Sequence, residues 1–268
     1  MTSQAPIGIF DSGVGGLSVL HDIHRLLPHE NITYIADSQH APYGNRSTHF
    51  IQKRSLELTQ ALIDKGCKLI VVACNTATTE AIQHIRDQVD LPIIGVEPAI
   101  KPAARYSKNR KIGVLATQRT TDSKRIRELI ELYADHCEVS LQACPGLVEI
   151  IESNDQPTNL HLLENYLQPL LEKDIDALVL GCTHYPFIRE QIEQIIGNDI
   201  TIHETGKPVA EQINRVMQQA NLANKKTKIG TITIYSSSDS TDSHTTISKL
   251  WPNPAILKNL NEEEPKHD

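Results

Sequence analysis

Two short segments, residues 69–76 and 177–184, constrain this chain more than any other feature. The first reads Leu-Ile-Val-Val-Ala-Cys-Asn-Thr and the second Ala-Leu-Val-Leu-Gly-Cys-Thr-His. Each is an apolar run of strand type, then a small residue, a cysteine and two polar residues. The two cysteines, Cys74 and Cys182, stand 108 residues apart. A second echo has almost the same offset. The apolar run at 111–117 repeats that at 7–12, with Ile7 and Ile112 105 residues apart. Two landmarks at one spacing imply two similar lobes, each of ordinary single-domain size.

Within each lobe, apolar runs alternate with amphipathic stretches. Strands are expected over 7–10, 31–36, 69–73 and 92–96, with helices over 17–27, 49–65 and 78–89. The rhythm restarts with strands over 111–117, 139–143, 177–180 and 199–203, and helices over 123–134, 159–172 and within 184–197. Strand, helix, strand in this order implies parallel pairing through right-handed crossovers. A helix over 207–223 and a closing or edge strand over 229–235 follow, the strand returning to the first lobe. Residues 236–246, rich in Ser, Thr and Asp, read as a loop. The expected organisation is α/β: two pseudo-symmetric lobes, each a mostly parallel sheet flanked by helices, with the site in the cleft between them. Residues 1–97 with 208–255 form the first lobe and 98–207 the second, and 256–268 form a disordered tail.

Composition narrows the class. Aromatic residues make up 4 % of the chain, so aliphatic side chains fill the core. A net charge of −7 with no basic block argues against a nucleic-acid groove. No apolar run reaches the ~18–20 residues of a membrane helix. Five cysteines, an odd number with no CxxC, suit reduced thiols in a cytoplasmic protein.

The loop Asp11-Ser12-Gly13-Val14-Gly15-Gly16 joins a strand to a helix. Glycine-rich helix N-termini bind anions through backbone N–H groups. A dinucleotide fingerprint needs a third glycine where Ser18 stands, so a carboxylate-binding loop is preferred; a dinucleotide site and a ligand-free turn remain alternatives. Cys74 and Cys182 lie just past strand ends, where open α/β sheets place ligands. Either alone reads as packing; the pair in matched settings reads as catalysis. Cys67, Cys137 and Cys144 read as structural. Cys182 with His184 allows a Cys-His nucleophile, whereas no cluster supports a metal. Asp37, ahead of the Pro42-Tyr43-Gly44 turn, and Glu152, after Cys144, occupy comparable places in the two lobes and are candidates to face the crevice.

Together the stretches Ile9 to Leu17, Pro42 to Gly44, Val71 to Ala77, Val96 to Ala103 and Leu180 to Pro186 resemble the glutamate racemases of the aspartate/glutamate racemase family. The resemblance implies cofactor-independent conversion of L-glutamate to D-glutamate for peptidoglycan synthesis. It implies that Cys74 and Cys182 are the acid/base pair. Asp11, Ser12, Tyr43, Gly44, Asn75, Thr76, Thr183 and His184 would contact substrate, with Asp11 and His184 each supporting the nearer cysteine. Asp37 and Glu152 would be secondary polar groups. The expected partner is the small-molecule substrate, without nucleic acid, membrane or cofactor, and with room for a homodimer. An aspartate-type racemase, a Cys-His thiol hydrolase and a two-lobed binding module are the competing readings. The sequence departs from the family's pattern at 203–206 and at Gln118-Arg119. With no long segment ahead of Ile7, regulation by a cell-wall precursor is not expected.

Overall fold

The computed structural model describes residues 2–153 and 160–262. The chain runs β1 (Ile7–Asp11), α1 (Leu17–Leu26), β2 (Ile32–Ala36), α2 (Thr48–Asp64), β3 (Leu69–Val72), α3 (Asn75–Arg86), β4 (Ile93–Gly95) and α4 (Ile100–Tyr106). It continues with β5 (Lys111–Ala116), α5 (Gln118–Asp122), α6 (Lys124–Tyr133), β6 (Glu138–Ala143), α7 (Leu147–Glu152), α8 (Leu160–Leu171), β7 (Ala177–Leu180), α9 (Arg189–Ile196) and β8 (Thr201–His203). Last come α10 (Gly206–Gln219), β9 (Ile232–Ser236), α11 (Thr241–Leu250) and β10 (Ile256–Asn259).

Two sheets form, in strand orders β10-β9-β2-β1-β3-β4 and β6-β5-β7-β8. Every pairing is parallel. The α/β architecture expected from the rhythm is therefore present. β1 and β5 hold equivalent places, each flanked by the strand that follows it and by the strand that carries a cysteine motif. β1, β2, β3 and β7 are buried at every position, as strands covered by helices on both faces must be. Helices cover the first sheet over two aliphatic cores. One joins Ile9, Val71 and Ile234 to α1 and α10; the other joins Phe10, Ile70 and Val72 to α2 and α3.

Three expectations are corrected. Residues 256–259, assigned to a disordered tail, form β10, which pairs with β9. β9 is therefore an interior strand and not the edge. The 236–246 stretch is not all loop: α11 starts at Thr241, capped by the Ser240 hydroxyl, and buries Thr246, Ile247 and the following Trp251. Serine and threonine at 240–246 disguise it, because they are weak helix formers but strong caps. The tail expectation for 263–268 falls outside the described residues. So does the start of the 159–172 helix.

Candidate active site

β1 and β3 end side by side, and the chain beyond them builds one wall of the site. Gly13 and Gly16 donate their amides to Asp11 Oδ2, at 3.2 and 3.0 Å, which folds the glycine loop around the carboxyl. Tyr34 donates its hydroxyl to the Gly13 carbonyl at 3.2 Å. Burial pushes the Asp11 carboxyl above its usual range, while His184 and the two loop amides oppose the rise. Its Oδ1 is buried without a hydrogen-bond partner among the described residues.

The helix after β3 starts three residues sooner than its apolar pattern suggests, at Asn75, and Cys74 is its N-cap. Ala77 donates its backbone N–H to Cys74 Sγ at 3.4 Å, and the thiol donates to Ser12 Oγ at 3.4 Å. Burial pushes this thiol up to about 12, and the Asp11 charge adds to the rise. Cys74 thus rests as a thiol, with a helix N-terminus in place to receive negative charge. Asn75 donates to the Val96 carbonyl at 3.3 Å, and its buried Oδ1 has no hydrogen-bond partner among the described residues.

The facing wall comes from the end of β7. Cys182 Sγ lies 3.7 Å from His184 Nδ1, and His184 donates Nε2 to Glu152 Oε1 at 2.6 Å. Burial works against charge on His184, but its bonds to Cys182 and Glu152 outweigh it and hold the imidazole well above its usual value. Burial would raise Glu152, yet the His184 bond keeps it lowered. Glu152 also accepts from Val14 N across the cleft at 3.5 Å. These two bonds bring Glu152 to the cleft beside His184.

Among the described residues Asp37 bonds to neither thiol. It accepts from Arg54 at both oxygens (2.7 and 2.9 Å), from the Tyr43 hydroxyl at 2.7 Å and from His40 Nδ1 at 3.0 Å. Burial raises this carboxyl, but these donors hold it below its usual range. Asp37 thereby fixes Tyr43, whose ring is buried against Phe50. Gly44 lies opposite Thr117, across a seam that also borders Cys144. Ser12, Asn75, Thr76, Thr183 and His184 are all buried. Cys67 and Cys144 are buried in the apolar cores and Cys137 is half-buried beside another.

Residues outside the expected site set also reach the cleft. Thr117 Oγ1 lies 3.2 Å from Thr76 Oγ1 across the cleft and 3.0 Å from Thr120 Oγ1. The offset of 105 that pairs Ile7 with Ile112 also pairs Ser12 with Thr117, so the duplication carried this signal. Arg119 reaches from α5 to the Arg46 carbonyl, to Thr48 Oγ1 at 3.4 Å and to Glu80 at 3.6 Å. Among the described residues no group of three or more His, Cys, Asp or Glu side chains could hold a metal ion.

Two matched strand ends that present thiols across one cleft agree with the family model for Asp/Glu/hydantoin racemases, which matches residues 7–209. The chain belongs to the Asp/Glu/hydantoin racemase family. A glutamate racemase of Methylococcus capsulatus is 44 % identical over 252 residues, covering 93 % of each chain. The crystal structure of a glutamate racemase isoform from Bacillus anthracis superposes with a TM-score of 0.89 at 29 % identity, covering 96 % of this chain and 97 % of that one. The Escherichia coli glutamate racemase, in complex with L-glutamate and the activator UDP-MurNAc-Ala, superposes with a TM-score of 0.85 at 30 % identity, covering 95 % and 98 %. Within the racemase family architecture, no helix among the described residues is long and apolar enough to cross a membrane.

Proposed function

We propose that this chain is a glutamate racemase that interconverts L- and D-glutamate by two-base proton transfer, in the cytoplasm, and so supplies D-glutamate for peptidoglycan. The observation that carries the reading is the placement of Cys74 and Cys182 at the ends of equivalent strands in facing lobes, each with its own charged support.

One thiolate removes the α-proton and the thiol opposite supplies a proton to the other face. The α-carbon is a very weak acid, so fixed dipoles must stabilise the negative charge that develops. Cys182 is backed by the His184–Glu152 pair, whose bonds favour the charged imidazole 3.7 Å from its sulfur. Cys74 is backed by the N-terminus of α3 and by Asp11. The substrate ammonium suits Asp11 Oδ1 and Asn75 Oδ1, two buried oxygens without a hydrogen-bond partner among the described residues. The carboxylates suit the hydroxyls of Ser12, Thr76, Thr183 and Thr117 and the backbone around Tyr43 and Gly44. His184 and Asp11 hold the proton inventory of the two sides, while Asp37 and Glu152 act through Tyr43 and His184. Closure of the lobes keeps water from these contacts and strengthens them.

The test is racemisation of L-glutamate in deuterated water without added cofactor, following deuterium at the α-carbon, with L-aspartate in parallel. Deuterium uptake and racemisation of glutamate are expected, with both Cys74→Ser and Cys182→Ser slowed by at least ~1000-fold, the scale of losing an essential acid or base. Turnover of aspartate alone assigns the aspartate-type reading. Full racemisation by both variants overturns the two-base mechanism, and dependence on Cys182 alone points to the thiol hydrolase.

A further inference from the structure

Ser18 stands where a dinucleotide loop would carry its third glycine, and the structure gives that side chain a task. It lies half-buried in the first turn of α1. Its hydroxyl has one proton and two carbonyls within reach: Gly15 O at 2.9 Å in its own turn and Thr183 O at 2.7 Å across the cleft. Gly15 O already accepts the Ser18 backbone N–H at 3.0 Å. The Thr183 carbonyl is therefore the acceptor that gains most from the hydroxyl proton. Its neighbours are served inside their own lobe, Cys182 O by Tyr185 N and His184 O by Phe187 N. Thr183 is the residue between Cys182 and His184, so this bond ties the second cysteine's turn to the first lobe.

The glycine loop is shaped to the same turn. A Cβ on Gly15 would stand 2.3 Å from His184 Nδ1 and 2.7 Å from Thr183 Oγ1. A Cβ on Gly13 would stand 2.7 Å from Glu152 Oε1. The missing side chains let the Cys182-Thr183-His184 turn and its Glu152 support press directly on the first lobe, and Ser18 locks the contact.

We propose that Ser18, with Gly15 as its seat, is a positioning residue for Cys182, setting the placement of that thiol against the substrate held by the first lobe. The inference rests on the two-base reading above. It predicts an effect confined to one thiol, which a general loss of structure would not produce.

The experiment uses glutamate with chloride at the β-carbon. One thiolate removes the α-proton, the electron pair forms the Cα–Cβ double bond and chloride leaves. The enamine then hydrolyses to the 2-oxo acid and ammonia, so a single base suffices. Cys182→Ser identifies the enantiomer whose proton faces Cys182, as the one whose elimination it abolishes. Ser18→Ala is expected to slow elimination from that enantiomer about tenfold, which is about 1.4 kcal/mol and in the range of one neutral hydrogen bond. Elimination from the other enantiomer should stay within about twofold. Ser18→Thr should restore the rate, and Gly15→Ala should reproduce the asymmetry. Equal slowing of both enantiomers, or of neither, overturns the proposal, as does a threonine variant no better than alanine. If Ser18→Ala does not fold, the same comparison is made with Gly15→Ala: equal slowing of both enantiomers, or of neither, overturns it. A wild-type protein that neither racemises glutamate nor eliminates chloride rejects the proposed function instead.

Discussion

A carboxyl backs one thiol and an imidazole–carboxylate pair backs the other, and this asymmetry has measurable consequences residue by residue. Burial and Asp11 keep Cys74 protonated at neutral pH. Because only the thiolate reacts, iodoacetamide at pH 7 should label Cys74 at least ~100-fold more slowly than a free cysteine, as followed by peptide mass spectrometry. The His184–Glu152 pair should appear in stability. Glu152 is lowered from 4.5, so its contribution is present above about pH 4.5 and is lost as pH falls through its folded value. His184 is raised above 6.5, so its contribution is full below about pH 6.5 and is lost as pH rises through its folded value. Chemical denaturation should find Glu152→Gln about 2 kcal/mol less stable than wild type between pH 4.5 and 6.5, the scale of removing a partly exposed carboxylate from a buried imidazole. The gap should narrow on both sides of that window. The duplication predicts matched residues and explains the mismatch: the offset of 105 sets Ala116 against Asp11, so the second lobe has no carboxyl at that strand end. Its charge arrives from α7 and from His184 instead.

At the scale of elements, one buried ion pair joins distant segments. Lys68, just before β3, lies 2.5 Å from Glu30 and donates to the Ser3 carbonyl at 2.6 Å. Glu30 also accepts from Asn224 N at 2.6 Å, beyond α10. Both side chains are almost fully buried. Lys68→Met should cost about 3–5 kcal/mol because it strands a buried carboxylate, whereas Lys68→Met with Glu30→Gln should recover much of the loss in urea denaturation. This bond was invisible in the sequence, since nothing local links positions 30, 68 and 224. The elements with strong periods were legible: β1, β3, β5, β7, α2 and α6 fall where their apolar patterns put them. α4 and α7 were missed because seven- and six-residue helices carry too few turns to show a period. β10 was missed because only Ile256 and Leu257 mark it. α3 began early because its first turn is polar, and that turn is where the site lies.

For the molecule as a whole, the cleft is spanned on more than one side. Ser18 and Val14 bridge at the glycine loop, Thr76 and Thr117 meet beside it, and Arg119 grips α2 and α3 from the second lobe. Arg119 and Glu80 are only partly exposed, so their attraction outlasts moderate salt. Arg119→Ala should raise KM for glutamate about threefold to tenfold while changing unfolding free energy by less than about 1 kcal/mol, as expected of a polar contact near the surface. Initial rates and a urea titration check both halves. Sequence motifs singled out the thiols and their neighbours as candidates because chemistry leaves local marks. The spans across the cleft depend on how two lobes meet, and only Gln118-Arg119, as a departure from the family pattern, hinted at one.

The strand order also has a consequence for how the chain is born. β2 lies between β1 and β9, and β9 is followed outward by β10. Asn31 and Thr231, which bond at the start of that pairing, are separated by 200 residues. On the ribosome the second sheet, whose strands all lie between Lys111 and His203, can be finished while the first still has an open flank. The half made first is thus completed last, and β2 lacks one neighbour until β9 has been made. The older half of the molecule therefore waits on the younger strands for its last neighbours.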